Sequence, residues 1–406
     1  MSDAVDQART RFVAGNAHFE AGRYEAALSE FDAALALVPD RPSLLANRGA
    51  TLCRLARWRE AVPALQAAVQ ADPDHADAWA AMGLAHEALD AWAPAAEALQ
   101  RALALDVRSA ALALSLALCQ LRLAQPDAAL RSLDQALAWD PMLAEAWSVR
   151  GNLLRETGQW PVAARCFEQA LALGADEALH RFYLASVKPG EPVPPHPPRA
   201  YVESLFDDYA PDFQHHLLQD LGYQAHTTLL APLLAGGRRW SLALDLGCGS
   251  GLCGELLAPH CDAVDGVDVS RVMVAQACTS GHYRQVVHGE LLPFLNNNTE
   301  RTDLIVAADV FIYVGALDVV LSAAARRLAP GGLLAFTVEQ ADPGHELQLR
   351  PSLRYAHGRL LIERAAASCG LSVRALWAAA IREDQRRPVK GWYVLLQKAD
   401  TATPSR

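Results

Sequence analysis

Along the first part of the chain, small and large apolar positions recur on a 34-residue period without a single insertion. Gly15, Gly49, Gly83 and Gly151 share one phase, with Ala117 in the remaining slot. Ala27, Ala61, Ala95, Ala129 and Ala163 share a second, and Ala34, Ala68, Ala102, Ala136 and Ala170 a third. Pro39, Pro73 and Pro141 share another, with Val107 and Ala175 filling it elsewhere; Trp79 matches Trp147, and Phe31 matches Phe167. Such phases arise when small residues sit where two helices touch, large ones fill the gaps, and proline stops the second helix. The pattern predicts five helix pairs over about Ala8 to Glu177 and an all-helical domain over residues 8–187. The longest apolar run, Ser109 to Leu121, is the first helix of the fourth pair.

From Lys188 the pattern changes. Lys188 to Arg199 holds six prolines, which excludes a helix and predicts a stiff, extended linker over 188–200. Tyr201 to Leu218 then reads as a short helix, a break, and a second helix beginning at Pro211, with Phe206, Tyr209 and Phe213 as its aromatic set. Beyond it come short apolar runs that end in acids or turns: Ser241–Leu246, Ala263–Asp268, Val286–His288, Asp303–Asp309 and Leu328–Phe336. They read as strands, and Trp392–Leu396 as the last one. This second domain spans 201–398.

The first of these strands runs into Asp245-Leu-Gly-Cys-Gly-Ser-Gly-Leu-Cys-Gly254, a strand, a tight turn and a helix start. Glycines at 247, 249 and 251 admit a positive φ and let a ligand approach without a Cβ in the way. The helix start supplies free N–H groups that favour an anionic ligand group. Gly249, Gly251 and Gly254 also satisfy the dinucleotide-binding spacing, which suggests NAD or FAD. Against that, Asp245-Leu246 precedes the first glycine, where dinucleotide enzymes have the glycine directly after the strand. Asp268 ends the next strand 21 residues after Gly247, the distance at which a second-strand carboxylate reaches ribose hydroxyls.

Composition narrows the setting. With 406 residues the chain has room for two or three cores, and its net charge of −10 argues against a broad basic surface for nucleic acid. The N-terminus has neither a basic region nor an apolar core, so it is not read as a signal peptide. No apolar run reaches the ~20 residues of a membrane span. The eight cysteines form no C-x-x-C pair and read as buried small hydrophobes of a cytoplasmic protein, with no metal expected.

The helical period resembles the tetratricopeptide repeat, whose arrays present a groove for peptides or protein partners. Some members grip a C-terminal carboxylate there; Asn16 and Asn47 fall at suitable places, but Phe12 and Asp77 stand where bases are needed. The two asparagines therefore read as solvated or back-bonded. The glycine stretch, Glu290-Leu291, Asp309 and Pro330-Gly-Gly332 resemble the motifs of class I S-adenosylmethionine-dependent methyltransferases, over roughly Tyr201 to Lys398. That resemblance implies a Rossmann-like α/β fold with a seven-stranded sheet, its last strand antiparallel, behind the all-α solenoid. It implies S-adenosylmethionine as cofactor, held by Asp245, Gly247, Gly249, Gly251, Asp268, Met273, Glu290, Leu291 and Asp309, with Tyr209 on a segment that folds over it as a lid. Tyr313, His357 and His215 are the candidate proton acceptors.

These expectations converge on an enzyme that methylates an O or N atom of a protein or carrier-bound substrate recruited by the array, with no nucleic acid and no membrane involved. The alternatives are methylation of a free small metabolite, with the array used for assembly, and a scaffold whose methyltransferase-like domain senses the cofactor.

Overall fold

The computed structural model describes residues 2–198, 201, 223–297, 299–384 and 387–400. The chain forms two compact units, residues 1–175 and 176–406.

The first unit is built of five helix pairs: Ser2–Glu20 with Tyr24–Leu37, Pro42–Arg54 with Trp58–Ala71, Ala76–Glu87 with Trp92–Ala104, Ala110–Arg122 with Pro126–Trp139, and Ala144–Glu156 with Trp160–Ala172. The small-residue phase has a steric cause. A Cβ on Gly15 would lie 2.5 Å from the Phe31 ring, and one on Gly151 would lie 2.6 Å from Phe167. Each glycine thus seats the large residue of its partner helix. The tryptophan and proline phases are also one device, since Trp79 Nε1 donates to the Pro73 carbonyl and Trp147 Nε1 to that of Pro141, both at 2.9 Å. First helices of the first four pairs pack on one another in succession, Pro42–Arg54 touching both Ser2–Glu20 and Ala76–Glu87. Asn47 Nδ2 donates to Asn16 Oδ1 at 2.7 Å across this seam, so these asparagines satisfy each other.

The second unit begins with the helix Glu177–Val187, capped by the Asp176 carboxylate on the Leu179 amide at 2.7 Å. Its Phe182 and Ala185 are buried with Tyr201, Leu349, Leu353 and Tyr355. The array was expected to run to residue 187; the helix at its end instead packs in the second unit. Nor is the proline segment a free spacer. Its Pro194 carbonyl accepts from the Tyr355 hydroxyl and its Pro195 carbonyl from the Ala316 amide, each at 2.9 Å.

Among the described residues nine strands follow: β1 Trp240–Leu246, β2 Cys261–Asp268, β3 Gln285–His288, β4 Thr302–Ala307, β5 Leu328–Gln340, β6 Leu347–Leu349, β7 Tyr355–His357, β8 Leu371–Asp384 and β9 Arg387–Lys398. Seven form the main sheet in the order β3-β2-β1-β4-β5-β9-β8. The strands β1 to β5 are parallel, β9 runs antiparallel to β5, and β8 antiparallel to β9. This is the expected seven-stranded sheet, with a small hairpin, β6 and β7, added at the end of β5. Alternation along β1 sets both faces: Leu242, Leu244 and Leu246 enter one core with Phe311, Leu321 and Phe336. Ala243 enters the other, with Leu229, Leu230 and Leu257. Strand order reverses between β1 and β4, so the crevice outside their C-terminal ends is where such a sheet binds its ligands.

Candidate functional site

At that crevice the glycine loop is held by a single carboxylate. Gly247, Gly249 and Gly251 have φ of 65°, 53° and 107°, the left-handed region that a Cβ disfavours. Gly247 is doubly constrained, because a Cβ there would meet Val310 at 2.6 Å. Asp268, at the end of β2, accepts the Gly249 amide on Oδ2 and the Ser270 amide on Oδ1, both at 2.9 Å. Burial raises its carboxyl, and these backbone donors, with Val269, work against that rise. One residue therefore shapes the loop and the start of the helix Arg271–Thr279, whose Met273 is buried.

Asp245 is 1 % exposed. Its Oδ2 accepts the Tyr283 hydroxyl at 2.7 Å, and the same hydroxyl oxygen accepts the Gly254 amide at 3.1 Å. Burial pushes the Asp245 carboxyl up to about 7; the Tyr283 hydrogen bond opposes the rise and the charge of Asp268 adds to it. Cys248 and Cys253 are buried beside it, and burial pushes both thiols up. They are inert packing residues.

The carboxylate of Asp309 is committed elsewhere. Arg382 Nη1 donates to both its oxygens, at 2.6 and 2.9 Å, and Arg382 Nη2 pairs with Glu339, which also meets Arg350 at 3.2 Å. Asp309 itself has φ of 60° and donates its amide to Thr337 Oγ1 at 2.8 Å. Sequence reasoning missed Arg382, Glu339 and Arg350, which come from β8, β5 and the turn after β6.

Glu290 is exposed after β3, and Leu291 is half-buried at the start of Leu291–Asn297. Tyr313 hydrogen-bonds Arg354, and burial raises its hydroxyl. His357 is fully buried, its ring Nε2 lies 3.0 Å from the Gly315 carbonyl, and burial lowers it to about 4. Tyr209 and His215 lie outside the described residues.

The expected cofactor fits what is present. A carboxylate has about four acceptor positions, so Asp268, with the Gly249, Ser270 and Val269 amides on it, keeps capacity for a ribose hydroxyl. Gly249 and Gly289, which flank it, have open space where a side chain would stand. Asp245 has no cationic partner among the described residues, which suits a ligand with a positive end.

Residues 244–334 match the family model described as a methyltransferase domain, and residues 18–85 and 144–176 match models of the tetratricopeptide repeat. No curated protein matches the chain. Among solved structures, MamA from Desulfovibrio magneticus RS-1 is 19% identical over 41% of this chain and 95% of its own, with a TM-score of 0.39. The N-methyltransferase NodS from Bradyrhizobium japonicum WM9 is 24% identical over 43% of this chain and 94% of its own, with a TM-score of 0.35. Magnesium protoporphyrin IX methyltransferase from Synechocystis PCC 6803, with bound SAM, is 18% identical over 43% and 78%, with a TM-score of 0.34. By these family models the chain carries a methyltransferase domain preceded by tetratricopeptide repeats.

Proposed function

We propose that the protein methylates an O or N atom of a protein or carrier-bound substrate that its repeat array recruits. The observation that carries the methyl-transfer half is Asp268, which braces the glycine loop yet retains acceptor capacity toward a ribose. In this reading Asp268 takes a ribose hydroxyl, and Gly247, Gly249 and Gly251 admit the cofactor backbone-close. Asp245 faces its cationic end, Met273 packs on the adenine, and Glu290 and Leu291 border it. Asp309 acts as the anchor of Arg382 at the substrate side and does not touch the cofactor.

S-adenosylmethionine supplies a methyl group already activated on a sulfonium, so the protein's task is alignment at ~3–3.5 Å and exclusion of water. A carboxylate acceptor needs no base. For an alcohol or amine, Tyr313 is the described hydroxyl that follows β4; burial raises it, and the Arg354 guanidinium beside it opposes that rise. The stacked helix pairs of the array support recruitment of a polypeptide, the mode such solenoids use. No described helix is long and apolar enough to cross a membrane.

The test incubates cell extract with labelled S-adenosylmethionine and either the full chain or residues 176–406, then separates protein-bound from small-molecule label by mass spectrometry. Tethering supplies effective concentrations of about a millimolar, so removing the array should cut protein-bound label steeply at unchanged cofactor affinity by calorimetry. Equal labelling by both forms, or label found in a small molecule alone, refutes recruitment.

A further inference from the structure

Tyr283 is absent from every motif in the sequence, yet the loop is built around it. A Cβ on Gly254 would collide with its ring, and one on Gly266 would lie 3.1 Å from it. Gly251 borders the same ring at 3.3 Å. Three glycines from the loop, the helix and β2 thus make room for one aromatic side chain. Its hydroxyl fills two vacancies. The helix Leu252–Leu257 starts from Gly251, which has no side chain to cap it, and Tyr283 Oη accepts the orphan amide of Gly254. The same hydroxyl donates its proton to Asp245.

Asp245 needs that bond. The titratable groups around it are Asp268 on β2, Cys248 in the loop, Cys253 on the helix, Tyr223 before Ala225–Leu234, and Tyr283. None of them is a cation. A buried carboxylate with acids and thiols about it tends to keep its proton, and a hydroxyl already fixed by a helix amide is the one described side-chain donor that opposes this.

We propose that Tyr283 is a positioning residue for the cofactor: its hydroxyl holds the Asp245 carboxylate in register with the glycine loop and keeps it ionised for the cationic end of S-adenosylmethionine. The proposal rests on the methyltransferase reading above. Tyr283→Phe keeps the ring that the glycines enclose and removes only the oxygen. Without it the Asp245 carboxyl holds its proton to higher pH, so cofactor affinity falls near neutrality and recovers in alkali.

The experiment measures S-adenosylmethionine affinity by calorimetry from pH 5.5 to 9 for wild type, Tyr283→Phe, Asp245→Asn and the double variant, with thermal melts as folding controls. The cofactor's own titration is common to all four and cancels in the comparison. The expected result is an upward shift of the Tyr283→Phe midpoint by about 1–2 pH units, the size of one hydrogen bond to a charged group. Asp245→Asn, which has no proton to lose, should flatten the protein's contribution, and adding Tyr283→Phe should leave it flat. A loss of affinity equal at every pH, or a shift that persists in the Asp245→Asn background, overturns the proposal. Failure of the wild type to bind S-adenosylmethionine at all overturns the methyltransferase reading instead.

Discussion

Replacing Asp268 by alanine separates the cofactor contact from the scaffold role of the same carboxylate. The side chain accepts two backbone amides at 2.9 Å and is 9 % exposed. Loss of a charge-assisted bond to the ribose costs about 1.5–3 kcal/mol, which is roughly ten- to hundredfold in affinity. Leaving the Gly249 and Ser270 amides without their acceptor costs about 1–3 kcal/mol each where water cannot reach them. The Ser270 amide is the enclosed one, so about one such loss should appear in stability. For a unit of this size each kcal/mol lowers the melting temperature by about 2–4 °C. Isothermal calorimetry with S-adenosylmethionine and a thermal melt of the full chain read the two effects apart. Weaker binding together with a small fall in Tm is the expected outcome. Wild-type affinity at unchanged Tm would remove Asp268 from both roles; a large fall in Tm with intact affinity would leave it as a brace alone.

Two further outcomes concern the scaffold. Arg382→Met leaves the part-buried carboxylate of Asp309 without its cation and buried Glu339 with Arg350 alone, which should cost about 3–5 kcal/mol and lower the Tm of the second unit by about 6–20 °C; a melt within 2 °C, about the scatter expected of a neutral surface change, refutes the network's importance. Gly151→Ala drives a Cβ to 2.6 Å from the Phe167 ring and should destabilise the array by about 1–3 kcal/mol despite the better helix propensity of alanine. Adding Phe167→Leu should restore much of that loss, because the fourth repeat already pairs Ala117 with Leu133. Thermal melts of the three proteins check it, and a Gly151→Ala variant as stable as wild type sinks the steric account.

The array was legible because its contacts are local in sequence: the residue facing each phase glycine lies 16 positions on, as Phe31 does from Gly15. Its far end was not. Glu177–Val187 continues the helical pattern, and only the burial of Phe182 against Tyr201 and Tyr355 assigns it to the second unit. Prolines likewise told that 188–200 is not a helix, but not that the Pro194 and Pro195 carbonyls have partners more than 100 residues away. One periodic feature escaped altogether. Positive φ recurs at Gly22, Ala56, Asp90, Ala124 and Gly158, the turn within every pair. Helix geometry imposes it at each turn, whereas glycine occupies only two of the five sites.

At the site, spacing located what lies on strand ends, since the end of each parallel strand opens on the same crevice. It could not find groups delivered by pairing. Arg382 lies 73 positions from Asp309 and reaches it because β8 pairs with β9, β9 with β5, and β5 with β4. Tyr283 is an intermediate case, because it left an imprint in the residues it touches. A glycine inside a strand costs stability unless something approaches closely. Gly266 sits mid-β2 among buried residues, and Gly254 sits in the first turn of a helix where alanine would be favoured. Both costs are accepted for one ring. Read together, such paired glycines in adjacent elements announce a large side chain between them, and the aromatic residues not yet assigned to a core are the short roster from which it can be chosen.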